Sequence, residues 1–335
     1  MATHVGILPN DVLDTLLSQL EDSDSAQQQR NLRFLRLPHP RTGVPSLFLP
    51  YELRDAKQTS ILEVQMIAPP NQRSWFLSEG QVLENGNLLM MTPIDPAFLL
   101  IPLLQTTIPL NGGTATFRPL DDVIDLAVEK MTLSPPYPPD PKDPTTRISQ
   151  KDIRTFLSLD CAHSAMKRVC EVKEITSEIT VYRYSVEKVI SYLKIKVDRL
   201  NNPELFETSR TLVRTLAKDG LMEDGKEQLL EAGRLKSACD LVCQYAPTTI
   251  RSALLAAYDF ASFDLYMKSL QDEAASLAAA EMSKAEAKES KGAKGDKSGD
   301  KKRKGPAKGS VGVEKLKKAN TRGMAKLSTF FQAKS

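Results

Sequence analysis

Thr92-Pro93-Ile94-Asp95-Pro96-Ala97-Phe98-Leu99-Leu100 is the stretch on which the reading of the fold turns. Asp95 and Pro96, followed by an apolar run to Leu104, are how a helix begins. A carboxylate stands at the N-cap, and proline takes the first helical position, where its missing N–H costs nothing. Before Pro93, short apolar runs alternate with turn residues. Well beyond it, apolar residues recur three and four apart. This change of period predicts an α+β chain, β-rich first and helical after.

Toward the N-terminus, His4 to Leu8, Leu32 to Leu37 and Ser46 to Leu49 are short apolar runs, and Leu62-Glu63-Val64-Gln65-Met66 alternates as a half-buried strand does. Pro38-His39-Pro40-Arg41-Thr42-Gly43 is turn chemistry. Trp75-Phe76-Leu77 and Leu88 to Met91 flank Glu84-Asn85-Gly86-Asn87, and Asn-Gly between apolar runs predicts a hairpin. Many short strands with turns between them point to a small barrel or sandwich. Val12, Leu13, Leu16, Leu17 and Leu20 interrupt them at helical spacing, and Glu21 to Arg30 is a polar loop.

Toward the C-terminus, Pro119 to Ile124 starts a second helix, and the six prolines of Ser134 to Pro144 form a linker or surface excursion. Residues 149–280 read as helical. Val186, Val189, Ile190, Leu193, Val197 and Leu200 make one apolar stripe behind an N-cap at Ser185, stopped by Asn201-Asn202-Pro203. Leu229 to Tyr245 and Ile250 to Leu270 continue the helices, with a break at Pro247. The expected organisation is a β-barrel dimerisation domain at 1–92, a helical connection with a proline-rich linker at 93–148, a helical domain at 149–281, and a disordered basic tail at 282–335.

Of the 335 residues, 41% are hydrophobic, enough for a packed core, and no apolar run is long enough to cross a bilayer. Four cysteines in a chain of this length, with no signal-peptide pattern at the start, point to a reducing compartment. The net charge of +3 conceals an asymmetry. Residues 282–335 carry 16 Lys and Arg against 5 Asp and Glu, whereas the remainder carries 29 against 37. A basic tail on an acidic body is attracted to polyanions.

Within that tail, Met324, Leu327, Phe330 and Phe331 form the sharpest motif. One helical turn sets Leu327 and Phe330 on a single face with Phe331 beside them, a plug for a small apolar pocket. The motif resembles the peptide that binds the proliferating cell nuclear antigen (PCNA) sliding clamp. Met324 stands where that peptide usually has Gln, which weakens the contact. Lys301-Lys302-Arg303-Lys304 resembles a nuclear import signal, so a nuclear location is expected.

Other motifs fail on chemistry. Gly220 to Glu227 approaches a phosphate-binding loop, but Glu227 stands where Ser or Thr must hold magnesium, and Glu223 and Asp224 repel phosphate. Cys161, Cys170, Cys239 and Cys243 lack the spacing and partner histidines of a zinc site and read as core residues. Asp121-Asp122 reads as capping residues of the first helical turn. No catalytic, metal or cofactor constellation emerges, which points away from an enzyme.

Ser74 to Leu77, Asn85 to Leu89, Thr92 to Leu100, Phe117-Arg118-Pro119-Leu120-Asp121 and Tyr182-Arg183-Tyr184-Ser185 resemble the B subunit of the eukaryotic type 2 ribonuclease H (ribonuclease H2). The clamp-like peptide at the C-terminus fits the same family. The resemblance implies a non-catalytic subunit. Its N-terminal strands intertwine with the C subunit in a shared triple barrel, and a winged-helix-like module follows. That pair supports the catalytic A subunit in a heterotrimer that degrades the RNA strand of RNA–DNA hybrids and incises at single ribonucleotides embedded in DNA. The complex is thereby expected in DNA replication and ribonucleotide excision repair, without a membrane partner. The alternative is a stand-alone replication or repair adaptor binding DNA through residues 150–270, with Arg183, Lys188, Lys194, Lys196 and Arg199 along one face.

Overall fold

The computed structural model describes residues 3–21, 33–53, 58–71, 73–109, 113–143 and 146–292. In chain order, β1 (Val5–Ile7), α1 (Asn10–Glu21), β2 (Leu35–Pro38), β3 (Pro45–Leu53), β4 (Gln58–Ile67), β5 (Trp75–Phe76), β6 (Val82–Leu83) and β7 (Leu88–Pro93) precede the helical part. That part comprises α2 (Pro96–Gln105), β8 (Arg118–Pro119), α3 (Leu120–Leu133), α4 (Gln150–Leu157), α5 (Asp160–Val169), β9 (Cys170–Glu174), β10 (Thr180–Tyr184), α6 (Val186–Leu200), α7 (Pro203–Glu207), α8 (Arg210–Lys218), α9 (Glu227–Val242), α10 (Thr248–Leu255) and α11 (Ala261–Gly292). The α+β class read from the sequence is the one observed.

Five of the first seven strands form one sheet in the order β1-β7-β4-β3-β2. It is antiparallel except that β1 runs parallel to β7, with Gly6 opposite Leu89. Because side chains alternate across a strand, the register divides the sheet cleanly. Leu35, Leu37, Phe48 and Ile61 face the helices and join their core, while Leu49, Tyr51 and Leu62 face α1 and meet Val12 and Leu16.

The Asn-Gly hairpin is corrected. Trp75 pairs with Leu83, not with β7, and β7 pairs with β4 and β1. Asn85 makes a local turn instead, its side chain accepting from the Asn87 amide at 3.0 Å. A Cβ at Gly86 would lie 2.5 Å from the Arg73 carbonyl oxygen, so this glycine permits a close backbone approach.

The start of α2 is as read. Asp95 is its N-cap, accepting from the Ala97 amide at 3.0 Å, with Pro96 at the first position. Leu100, Ile101 and Leu103 are fully buried, each contributing about 1.5–3 kcal/mol by the usual area relation. Ser185 caps α6 by accepting from the Lys188 amide at 3.3 Å, and Asn201 ends it.

Four details differ from the reading of the sequence. The helical part does not begin at 149, because α2 and α3 share the core of α4 to α6 and Val181 of β10 pairs with Pro119 of β8. Residues 170–184 are an antiparallel hairpin inside the stretch expected to be helical. The helix expected from Ile250 to Leu270 is broken between α10 and α11, with the Asp259 carboxylate accepting from the Ala261 amide at 2.9 Å. The tail expected to be disordered from 282 is helical as far as Gly292, since Ala, Glu and Lys favour helix without any core. The described residues divide into two units, one ending at Gln271 and the other beginning at Asp272.

Candidate interaction surfaces

The two edges of the five-stranded sheet are treated differently. At β2, Asp152 of α4 accepts the Arg36 amide at 3.2 Å and the Arg33 guanidinium at 2.6 Å, so α4 covers that edge. At β1, only β7 pairs among the described residues, and the outer edge is bare. The apolar surface beside it is bare too. Ile7 is 52% exposed, Met66 63% and Ile67 44%, although β4 buries Leu62 and Ile61 further along. On the neighbouring hairpin, Phe76 is 82% exposed. An open strand edge flanked by unburied apolar side chains is what a partner strand completes. Composition gave no sign of this. Met66 and Ile67 read like any strand residues, and only their exposure separates them from core.

A polar junction ties the sheet to the helices. Glu63 of β4 is 2% exposed, and its carboxylate accepts the Tyr245 hydroxyl at 2.7 Å. Burial and the facing carboxylate push the Tyr245 phenol up to about 12, so it remains a donor. His39, in the β2–β3 turn, places Nε2 at 3.6 Å from Glu63 while Nδ1 accepts the Arg41 and Thr42 amides. Burial lowers the His39 pKa and Arg41 adds to the effect, against the upward pull of Glu63. A neutral imidazole with its proton on Nε2 satisfies this geometry.

Asp95 is a second hub. Besides capping α2 it meets Lys196 at 2.6 Å, Arg168 at 3.2 Å and the Tyr192 hydroxyl. Burial alone would raise this carboxyl. The hydrogen bonds from Lys196, Tyr192 and the Ala97 amide, with the charge of Lys196, outweigh that effect and hold it below its ordinary value.

The helical part contains a helix-turn-helix, α4–Ser158–Leu159–α5, followed by the β9–β10 wing. In a DNA reader of this architecture the helix before the wing enters the major groove. Here that helix is α5, which buries one face and leaves Asp160, Ser164 and Lys167 exposed on the other. Cys161, Ala162, Ala165, Met166 and Val169 are buried, the Cys161 amide donates to Thr59 of β4 at 2.9 Å, and Arg168 is bound to Asp95.

The basic residues that the alternative reading would place on one DNA-binding face are dispersed. Arg183 is held by Glu171 at 2.5 Å, Lys196 by Asp95, and Lys194 stands over the Tyr258 ring, while Lys188 and Arg199 are exposed. The Gly220–Glu227 segment is a charged loop between helices. The Lys226 ammonium is engaged by Glu223 at 2.8 Å, the Tyr266 hydroxyl at 3.0 Å and the Gly220 carbonyl at 3.1 Å, leaving no phosphate cradle. All four cysteines are free and buried, as the sequence indicated, and burial pushes the Cys170 and Cys239 thiols up to about 12. Among the described residues no three His, Cys, Asp or Glu side chains are grouped to hold a metal. The clamp-like residues Met324, Leu327, Phe330 and Phe331 and the import cluster Lys301 to Lys304 lie outside the described residues.

Comparison with known proteins follows the same division. The family model described as the Ydr279p protein triple barrel domain matches residues 7–95. The one described as the Ydr279p protein family (RNase H2 complex component) wHTH domain matches residues 98–255, confirming the N-terminal strand domain and the winged-helix module. The chain is 26% identical to the B subunit of ribonuclease H2 from Bos taurus over 196 residues, covering 58% of this chain and 51% of the relative. It is 28% identical to the Schizosaccharomyces pombe protein of the same name over 225 residues, covering 66% and 67%, and 30% identical to that of Xenopus laevis over 129 residues, covering 38% and 33%. The chain thus spans about half the length of the cattle relative it matches.

Proposed function

The chain belongs to the Ydr279p family, and from that premise we propose that it is the non-catalytic accessory subunit of a type 2 ribonuclease H that degrades RNA in RNA–DNA hybrids and incises at single ribonucleotides in DNA. The observation that carries the reading is the uncovered β1 edge with Ile7, Met66, Ile67 and Phe76 beside it. A monomer with such an edge is prone to pair with any strand that fits. In this reading the fitting strands come from the C subunit, they close the barrel, and the pair positions the catalytic A subunit. The hydrolytic carboxylates then belong to the catalytic chain, and this one holds no catalytic residue, metal or cofactor of its own.

The tail supplies location. Lys301 to Lys304 direct import into the nucleus, and Leu327, Phe330 and Phe331, with Met324, dock on the PCNA sliding clamp. Co-expression with candidate A and C subunits tests the assembly. The wild-type chain co-purifies with both, whereas an Ile7→Glu, Ile67→Glu variant folds but loses the C subunit. A stable monomer that never co-purifies with a ribonuclease H catalytic subunit overturns the proposal. A Phe330→Ala, Phe331→Ala variant loses clamp recruitment while the assembled complex keeps hybrid cleavage. Loss of both activities contradicts the tether.

A further inference from the structure

The proline-rich excursion leaves α3 at Ser134 and packs against the β2–β3 turn. Ser134 is the C-cap of α3, its amide donating to the Lys130 carbonyl at 2.9 Å, and Pro135 follows it. A following proline disfavours the α conformation, and Ser134 accordingly has φ −138° and ψ 72°. Pro136 then meets the turn at Gly43, where an added Cβ would lie 2.7 Å from it. Between turn and excursion lies a cleft of about 340 Å³, with Arg41, Thr42, Gln105 and Ser134 in its lining and no aspartate or glutamate. Arg41 and Ser134 are exposed, and so is Lys130, one helical turn before Ser134. Among the described residues neither the Arg41 guanidinium nor the Lys130 ammonium has an ion-pair partner, and the Ser134 hydroxyl has no hydrogen-bond partner. Nearby hydroxyls are committed: Thr132 donates to the Val128 carbonyl and Thr146 to that of Asp143, each at 2.7 Å.

From this arrangement we infer that Ser134 is a phosphorylation site for a proline-directed protein kinase, and that Arg41 and Lys130 seat the resulting phosphate in the cleft. Such a kinase takes an exposed Ser–Pro or Thr–Pro pair whose hydroxyl is free. The sequence has two such pairs, and the other, Thr92-Pro93, is held in β7 with Thr92 opposite Glu63 of β4. In the transfer the Ser134 Oγ bonds to the γ-phosphorus of ATP, and the bond from that phosphorus to the β,γ-bridging oxygen breaks. The hydroxyl proton passes to the kinase's base, and ADP leaves. The phosphoserine carries nearly two negative charges and three acceptor oxygens. The C-terminal end of α3 repels that charge. Arg41 across the cleft and Lys130 one turn back outweigh the repulsion, and the Arg41 fork matches two phosphate oxygens. The Thr42 hydroxyl oxygen accepts the Val44 amide at 3.3 Å, which leaves its proton free to donate. The phosphate thus bridges the end of α3 to the β2–β3 turn and pins the excursion over the cleft. The site does not depend on the ribonuclease assembly.

The test incubates the full chain with a cyclin-dependent protein kinase and magnesium ATP and locates phosphate by peptide mass spectrometry. Ser134 becomes modified, and Pro135→Ala abolishes the modification. The seat is read on the phosphorylated protein in two ways. Proteolysis of the excursion near Tyr137 slows by about tenfold, the factor that one charge-assisted hydrogen bond supplies. An Arg41→Gln, Lys130→Gln variant, phosphorylated at the same serine, returns to the unmodified rate. In phosphorus NMR the phosphoserine titrates below its ordinary second pKa of about 6 in the wild-type protein and at that value in the double variant. No phosphate at Ser134, while a Ser–Pro control peptide is turned over, overturns the site. Equal incorporation into Pro135→Ala overturns the assignment to a proline-directed kinase. Faster proteolysis on phosphorylation, or one NMR midpoint shared by wild type and double variant, overturns the seat.

Discussion

Replacing Tyr245 by Phe removes one oxygen atom and leaves the ring in place against His39 and Phe98, at centroid distances of 5.8 Å from each. The lost oxygen is the donor to Glu63, whose carboxylate is 2% exposed and whose remaining contact is His39 Nε2 at 3.6 Å, too long for a hydrogen bond. A hydrogen bond to a charged group contributes about 1.5–3 kcal/mol, and its loss leaves a buried charge poorly satisfied. Tyr245 is itself half-buried, so the lower part of the range applies, about 2 kcal/mol. For a unit of this size that corresponds to a fall in Tm of roughly 2–4 °C for each kcal/mol, or about 4–8 °C in all. Urea and thermal unfolding of the full chain measure it. A double-mutant cycle with Glu63→Gln identifies the source, because Tyr245→Phe then removes only a neutral acceptor's partner, at a cost of about 1 kcal/mol, giving a coupling near 1 kcal/mol. A loss below about 0.5 kcal/mol, or a coupling near zero, would show that the junction is held by packing alone.

The pH dependence of stability should carry the mark of His39. Its folded pKa lies below the ordinary 6.5, so the unfolded chain takes up the proton first as pH falls. Stability therefore declines from about pH 6.5 downward and levels off below the folded value. His39→Asn, whose oxygen can replace Nδ1 as acceptor for the Arg41 and Thr42 amides, flattens that limb in pH-resolved urea titrations. Asp95 acts in the usual carboxylate sense. Its stabilisation is complete above the ordinary 3.8 and is lost as pH falls through the lower folded value, and Asp95→Ala removes it at neutral pH together with the α2 cap, costing about 3 kcal/mol. Gly43 has a φ of +70°, and a Cβ there would meet Pro136 at 2.7 Å. Gly43→Ala is thus expected to cost about 1–3 kcal/mol, read by chemical unfolding, and to loosen the proline-rich excursion, read by faster proteolysis near Pro136.

Local rules made the helix starts legible. The Asp95-Pro96 pair, Ser185 and Asn201-Asn202-Pro203 each act within a few residues, through a cap or a missing N–H, and each stands where the sequence placed it. Non-local pairing was not legible. Asn85-Gly86 looked like a hairpin tip because both flanks are apolar, yet the partners of Leu88 to Pro93 lie at residues 5–7 and 62–67. The wing was hidden for a related reason. Cys170–Glu174 and Thr180–Tyr184 are five residues each, too short for their alternation to stand out between longer helical stripes. The exposed set Ile7, Met66, Ile67 and Phe76 could not be told from core, since a strand carries the same residues whether its cover is a helix of its own chain or a strand of another.

The buried face of α5 joins these observations. The buried face of this helix gives the winged helix a rigid connection to whatever covers it. Here the cover is α2 and the five-stranded sheet. Arg168 of α5 reaches the Asp95 cap of α2, and the Cys161 amide reaches Thr59 of β4. The boundary between the two matched domains, at residues 95–98, therefore runs through a shared core, which Phe98, Leu99 and Leu100 fill together with Leu35, Leu37 and Phe48. Divided there, each half would expose large apolar side chains and leave Glu63 or Tyr245 without its partner. The module behaves as a bracket that sets the bare β1 edge at a fixed angle to the wing.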